Sequence, residues 1–157
     1  MDPITAPSLA QLINRASRAL ARDGDATLKP LGLRYAQVPV LALLREDAER
    51  TQKELAEATG IEQPSMAQLL SRMDRDGLIR RTPHPRDARS QTIALTPGGG
   101  AVVADAHDRL AALDDRAVTG LTAAEIGILK DLLTRVGNNL DRTKAAIADE
   151  SAAPGRS

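Results

Sequence analysis

The chain has 157 residues, the size of one domain, and its 21 basic and 21 acidic side chains cancel. It holds no cysteine, which excludes a disulfide framework, thiolate catalysis and cysteine-based redox sensing. Phe and Trp are absent and Tyr35 is the only aromatic residue, so the core must be built from Leu, Val, Ile, Met and Ala, which suits tightly packed helices. The two histidines, His84 and His107, lie far apart in the sequence and offer no structural zinc site, so neither a metal nor a cofactor is expected. The opening "MDPITAPSLAQL" lacks the basic start and apolar centre of a signal peptide, and no run approaches 18 apolar residues. These features predict a soluble cytoplasmic protein with no membrane partner.

Residues 8 to 22 place Leu9, Leu12, Ile13, Ala16 and Leu20 at helical spacing behind Ser8, a natural N-cap. "DGDATLKPLG" breaks that pattern. A second helix is predicted from about Arg34 to Ala48, with Val38, Leu41 and Leu44 apolar. Pro39 lies inside it: harmless within the first turn, a bend and a lost hydrogen bond if later. "TQKELAEATGI" is a short helix with both ends marked, by a Thr51–Glu54 capping box and by Gly60 as a left-handed terminator. The next helix starts at once, with Pro64 at its first position and Gly77 as its stop. Met66, Leu69, Leu70 and Met73 repeat at i, i+3, i+4, i+7 and face the core. Two short helices joined by a tight Gly-containing turn form a helix-turn-helix.

Leu78 to Thr82 and Gln91 to Leu95 read as strands flanking the loop "PHPRDARS", so the helix-turn-helix gains a hairpin and becomes a winged helix. Thr96 then caps a long helix with Pro97 first, although Gly98 to Gly100 weaken its opening turn. Val102, Ala106, Leu110, Leu113 and Ala117 make one stripe. A second capping box, Thr122 with Glu125, opens a last helix. There Ile126, Leu129, Leu133, Val136, Leu140 and Ile147 recur as a heptad-like seam. The predicted fold is mainly α with a small β-hairpin wing: a winged helix-turn-helix flanked by N- and C-terminal dimerisation helices. Its segments are 1–33 (N-terminal helix and linker), 34–96 (DNA-binding lobe), 97–148 (C-terminal helices) and 149–157 (a disordered tail), within one structural domain overall.

Charge is concentrated where the chain is neutral on average. Residues 63 to 96 carry six basic and three acidic side chains, a local surplus of three positive charges. Binding of a polyanion depends on where charge sits rather than on its sum. An arginine at a hairpin tip can enter a narrow minor groove, and Arg89 is the residue for it. Asp87, two residues before, would hold that guanidinium by a charge-assisted hydrogen bond. Arg86 and Arg81 would meet phosphates. The helix starting at Pro64 offers Gln63, Pro64, Ser65, Gln68, Ser71 and Arg72 on its outer side, hydrogen-bonding types of suitable length for base edges and phosphates. The competing reading of the same residues is a solvated charged loop beside an ordinary polar helix face.

The outer helices hold more apolar surface than a small winged helix can cover. A second copy is their natural partner, through Leu9, Leu12 and Ile13 of the first helix and Leu129, Leu133, Val136 and Leu140 of the last; completion of a monomeric core is the alternative. A two-fold dimer would set two recognition helices on half-sites of a pseudo-palindromic operator about one turn apart, roughly 10 bp. A winged helix serving only protein interaction would carry an apolar or acidic recognition helix. An enzyme would need a nucleophile–base pair, a phosphate loop or metal-ligand spacing, and "TPGGGA" lacks the lysine of a phosphate loop.

These residues resemble the MarR family of transcriptional regulators. The family signature is Asp-x-Arg, five residues, then Leu-Thr; here it reads Asp87-Ala88-Arg89, Ser90 to Ala94, Leu95-Thr96, with Gly98 or Gly99 near the expected glycine. "LGLRYAQVPVLALL", "TQKELAEATGIEQPSMAQLLSRMDRDGLIRR" and "GLTAAE" also fall in family order, so the resemblance spans about residues 8 to 145. It implies a homodimeric winged-helix DNA-binding protein, usually a repressor, with Arg89 as the minor-groove arginine and Asp87 as its positioning partner. It also implies release from double-stranded DNA by a small-molecule effector bound between the dimerisation helices and the DNA-binding lobe. The absence of cysteine excludes the thiol-oxidation branch, and the scarcity of aromatics argues for an aliphatic pocket. Arg15, Tyr35 and His107 are the polar residues expected at that crevice. The plainer readings are a packed Tyr35 near a helix start and a surface or dimer-contact His107.

Overall fold

The computed structural model describes residues 6–45 and 48–152, with side chains described at all of these except 88 and 144–152. They form two compact units divided between Ala117 and Val118. The first unit therefore takes in the helix from Pro97, which the sequence grouped with the C-terminal segment.

Helix α1 spans Leu9–Leu28, opened by Ser8, whose hydroxyl accepts the Gln11 N–H while the Gln11 side chain accepts the Ser8 N–H. The expected break at "DGDATLKPLG" does not occur at its start. The helix runs through Gly24, where the Tyr35 ring occupies the space that a Cβ would fill. It ends in a 3-10 turn, Lys29–Leu31, closed by Gly32 with φ of 68°. The second predicted helix is much shorter. A 3-10 turn at Tyr35–Gln37 leads into α2, Val38–Leu43, with Pro39 in its first turn and a turn at Leu44. Residues 46 and 47 of that predicted helix lie outside the described residues.

A two-residue strand that periodicity did not reveal, β1 (Arg50–Thr51), precedes α3 (Gln52–Thr59). Helix α4 covers Gln63–Arg75, one residue earlier than Pro64 suggested, with Glu62 as N-cap. Gly60 (φ 70°) and Gly77 (φ 73°) take the left-handed conformation that lets each helix stop within one residue. Strands β2 (Ile79–His84) and β3 (Asp87–Leu95) complete an antiparallel sheet of order β1-β3-β2. Helix α5, Pro97–Ala117, follows and lies against α1.

Met66, Leu70 and Met73 of α4 are fully buried with Leu28, Leu44 and Leu55, and Ile79, Ile93 and Val103 close the same core. Each such side chain contributes roughly 1.5–3 kcal/mol by leaving water. In α5 the buried stripe is Gly99, Val103, Ala106 and Leu113; Val102 and Leu110 are half-buried and Ala117 is exposed. Gly99 is required by a close approach. A Cβ there would overlap the carbonyl of Leu78, so the opening turn of α5 sits directly on the backbone that leads into β2. Thr96 fastens the junction: its hydroxyl donates to Gly77 O (2.6 Å) and accepts from Gly99 N–H (2.9 Å).

Among its described residues the second unit holds one helix, α6, Ala123–Ala152, opened by the Thr122–Glu125 capping box. Residues 149–152, assigned to a tail by sequence, continue the helix, and 153–157 lie outside the described residues. No helix among the described residues is long and apolar enough to cross a membrane.

Candidate nucleic-acid interface

The hairpin is better ordered than its prolines suggested. In place of an eight-residue loop, the strands extend to a two-residue turn at Pro85–Arg86, with His84 opposite Asp87. The register breaks there: Pro83 faces Gln91 and the next pair is His84 with Asp87, so residues 88–90 have no opposite number. Pro83 and Pro85 have no N–H to give the ladder, which is why the excess residues collect at this end. Arg89 stands in that irregular stretch. At the root the ladder is regular, from Arg81 opposite Ile93 to Ile79 opposite Leu95, with a 2.7 Å bond between the Thr82 and Thr92 hydroxyls.

Asp87 acts differently from the expectation. Its Oδ1 accepts the backbone N–H of Arg89 at 3.0 Å, so the carboxylate shapes the chain, and among the described residues it forms no ion pair with the Arg89 guanidinium. His84 does the same for the turn, its Nδ1 accepting the Arg86 N–H at 3.2 Å. Arg81 is turned inward: Nε lies 3.3 Å from Asp74 Oδ2 in the last turn of α4, and its side chain is only 24% exposed. That pair ties wing to helix. Arg80 likewise faces Glu49 at 3.8 Å. Among the described residues no carboxylate pairs with Arg72, Arg86 or Arg89, and all three are exposed.

A cleft of about 660 Å³ opens between the first turns of α3 and α4 and the wing. Gln63, Arg81, Asp87 and Arg89 meet there, joined by Thr51, Gln52, Lys53, His84, Ser90, Gln91 and Ile93. Pro64, Ser65, Gln68, Ser71 and Arg72 are exposed along α4 and do not line the cleft; Arg86 is exposed at the hairpin tip. Sequence reasoning missed the α3 contribution. Its one available signal was the Thr51–Glu54 box, which puts residues 51–53 at a helix start. In that box Glu54 Oε2 accepts from the Thr51 N–H (2.7 Å) and hydroxyl (3.0 Å). These two bonds, with smaller help from Arg50 and His84, hold its carboxyl below the ordinary value.

The residues assigned to an effector crevice are not gathered. Tyr35 packs on Gly24, and its N–H donates to Asp25 Oδ1 at 2.8 Å. Arg15 is exposed on α1. His107 alone lines a small crevice of about 60 Å³ between α2 and α5, with Val38, Leu41, Arg45, Val103 and Leu110 among its walls. Of the residues assigned to dimerisation, Leu9, Leu12, Leu129, Leu133 and Leu140 are exposed, and Ile13 and Val136 are half-buried.

The MarR family profile matches residues 31–90. A cysteine-to-serine mutant of MarR from E. coli, solved in complex with operator DNA, is 30% identical; the match covers 82% of this chain and 92% of that one, with a TM-score of 0.76. The transcriptional repressor CouR, bound to a 23-mer DNA duplex, is also 30% identical, with 83% and 92% covered and the same TM-score of 0.76. The transcriptional regulator SlyA, at 23% identity, shares the fold over 90% of this chain and 99% of its own, with a TM-score of 0.82. Identity, coverage and the winged helix-turn-helix agree: the chain belongs to the MarR family of transcriptional regulators.

Proposed function

We propose that this chain is a homodimeric, sequence-specific DNA-binding repressor of the cytoplasm, released from its operator by a small molecule. One observation carries the DNA-binding reading. Gln63 at the start of α4 and the wing residues Arg81 and Arg89 line one cleft, and Arg72, Arg86 and Arg89 are exposed with no carboxylate partner among the described residues. Exposed guanidinium groups without a carboxylate partner suit phosphates and narrow grooves. The relatives solved with DNA support the same assignment. On this reading Gln63, Pro64, Ser65, Gln68, Ser71 and Arg72 form the recognition surface. Arg86 and Arg89 hold the duplex from the wing, Asp87 shapes the wing backbone, and Arg81 braces it.

Dimerisation is supported by the exposed leucines of α1 and α6. Release by a small molecule follows the family resemblance; the aliphatic crevice between α2 and α5, at about 60 Å³, would have to open to admit an effector beside Arg45 and His107. Fluorescence anisotropy with labelled DNA from upstream of the protein's own gene, titrated at several salt concentrations against unrelated DNA, tests the proposal. Selective binding whose log affinity falls linearly with log salt, by about 0.9 for each phosphate neutralised, is expected. Failure to bind any duplex at low salt would leave a winged helix that serves protein interaction.

A further inference from the structure

Helix α4 and the wing are joined by three residues. The helix ends at Arg75 and β2 begins at Ile79, so any swing of one against the other turns on Asp76, Gly77 and Leu78. Gly77 is the loosest link: its φ is 73°, and the space that a Cβ would take there is open. A glycine so placed rotates easily unless its carbonyl is held. Here the Thr96 hydroxyl donates to Gly77 O at 2.6 Å. The sense of that bond is fixed, because a carbonyl has no hydrogen to give and Thr96 Oγ1 already accepts the Gly99 N–H at 2.9 Å. Backbone bonds hold the next residue. Leu78 N–H donates to Met73 O of α4 at 2.9 Å, and Leu78 O accepts the Thr96 N–H at 3.0 Å. Gly99, in the first turn of α5, lies on that same Leu78 carbonyl with no room for a Cβ. The end of α4, both strands of the wing and the start of α5 therefore meet at one point, and the Thr96 hydroxyl bridges them.

Two elements that grip one duplex gain from being fixed to each other. Docking of the first then brings the second to its contact at a high effective concentration, with little further ordering. On a loose joint the second element must be ordered at each encounter, and its contact adds little. The Arg81–Asp74 pair braces the same joint, but both groups are partly exposed, so water and salt weaken it. The bond from Thr96 joins uncharged groups and is not screened. Resting on the DNA-binding reading above, we propose that Thr96 is a positioning residue for DNA recognition: its bond to Gly77 locks the wing to the recognition helix, so that Arg89 meets the duplex as part of one rigid body.

The test asks what Arg89 is worth in different Thr96 backgrounds. The full chain selects an operator from a randomised duplex library, and anisotropy then gives the loss of affinity caused by Arg89→Ala in each background. In the wild type that loss is expected to be about 5- to 150-fold. Thr96→Ser keeps both hydroxyl bonds and should keep the loss. Thr96→Val removes both bonds, and the loss should fall below about threefold, the non-additivity of two residues acting as one. Thr96→Asp separates the two roles of the side chain. Aspartate caps a helix at least as well as threonine, so it accepts the Gly99 N–H and keeps the fold, but its carboxylate has no hydrogen for Gly77 O. The Arg89 loss should fall in this variant as it does with valine. Any uniform effect of the added charge cancels, because each loss is a ratio within one background. An Arg89 loss of wild-type size in Thr96→Asp would make Thr96 a helix cap alone and overturn the proposal, and that variant decides even if Thr96→Val does not fold. Arg89→Ala without cost in the wild type would also overturn it, leaving DNA binding to α4. Failure of the wild type to enrich any duplex is a different result, visible before any variant is made, and it removes the DNA-binding reading together with this inference.

Discussion

Helices α4 and α6 carry apolar stripes of equal regularity and treat them in opposite ways. In α4, Met66, Leu70 and Met73 are completely buried within their own unit. In α6, Leu129, Leu132, Leu133 and Leu140 remain 43–65% exposed, and Ile128 is 60% exposed. The start of α1 behaves like α6, with Leu9 at 60% and Leu12 at 48%. Periodicity therefore marks a face that must be covered without saying by what. Where the surface is satisfied within the chain, the helix is fixed and its outer side is free for other work. Where it is not, the surface calls for a second molecule, and a closed two-fold pair is the commonest answer.

The contrast can be broken first at its strongest point. Leu70→Ala should lower folding stability by about 2–5 kcal/mol, since a fully buried leucine leaves a cavity. Urea denaturation should register that loss at every protein concentration. Leu133→Glu should act through association instead. A charge placed in the proposed dimer seam should weaken the dimer by roughly 100-fold or more, and sedimentation equilibrium should find monomer at micromolar concentrations with the helical circular dichroism kept. A dimer that survives would put the seam elsewhere. On the outer side of the first lobe, Arg89→Ala should cost about 1–3 kcal/mol of DNA affinity with no change in melting temperature. Unchanged affinity in the anisotropy assay would remove the wing from the mechanism.

The smallest effect concerns the helix starts. Thr51→Ala should destabilise the first lobe by about 1 kcal/mol through loss of a cap. Glu54, its partner in the box, has a folded-state pKa lowered from 4.5 by hydrogen bonds from Thr51. A depressed carboxylate stabilises the fold fully above its unfolded pKa and loses that contribution as pH falls through the folded one. The difference between wild type and Thr51→Ala should therefore be complete near neutrality and shrink below about pH 4.5. A difference that stays constant down to pH 3 would mean that the hydroxyl acts without the carboxylate.

The elements legible from sequence were those whose ends are set by local chemistry. Both capping boxes, Gly60 and Gly77 stand where side-chain hydrogen bonding and left-handed glycine require. What stayed hidden depended on distant partners. Gly24 looks like a helix breaker until the Tyr35 ring is seen against it, and Gly99 looks like a weak helix start until Leu78 is seen beneath it. The two-residue β1 has no period to detect. The prolines of the wing suggested a loop because sequence could not say that the unpaired residues would gather on one strand. The same limit governs the interface. Arginine content was readable, but that Arg81 is committed to Asp74 while Arg89 is not follows only from which helix end the hairpin root meets.

The break at Pro83 divides the wing into two parts with different evolutionary freedom. Between Ile79 and Pro83 each residue has a fixed partner on β3, and inserting or deleting one residue would reverse which side chains face the core. Beyond it, residues 88–90 have no opposite residue on β2, so the tip can lengthen or shorten without disturbing the root. Descendants of this chain can thus change how far the wing reaches while inheriting the same scaffold. Variation in wing length should be concentrated on the tip side of Pro83.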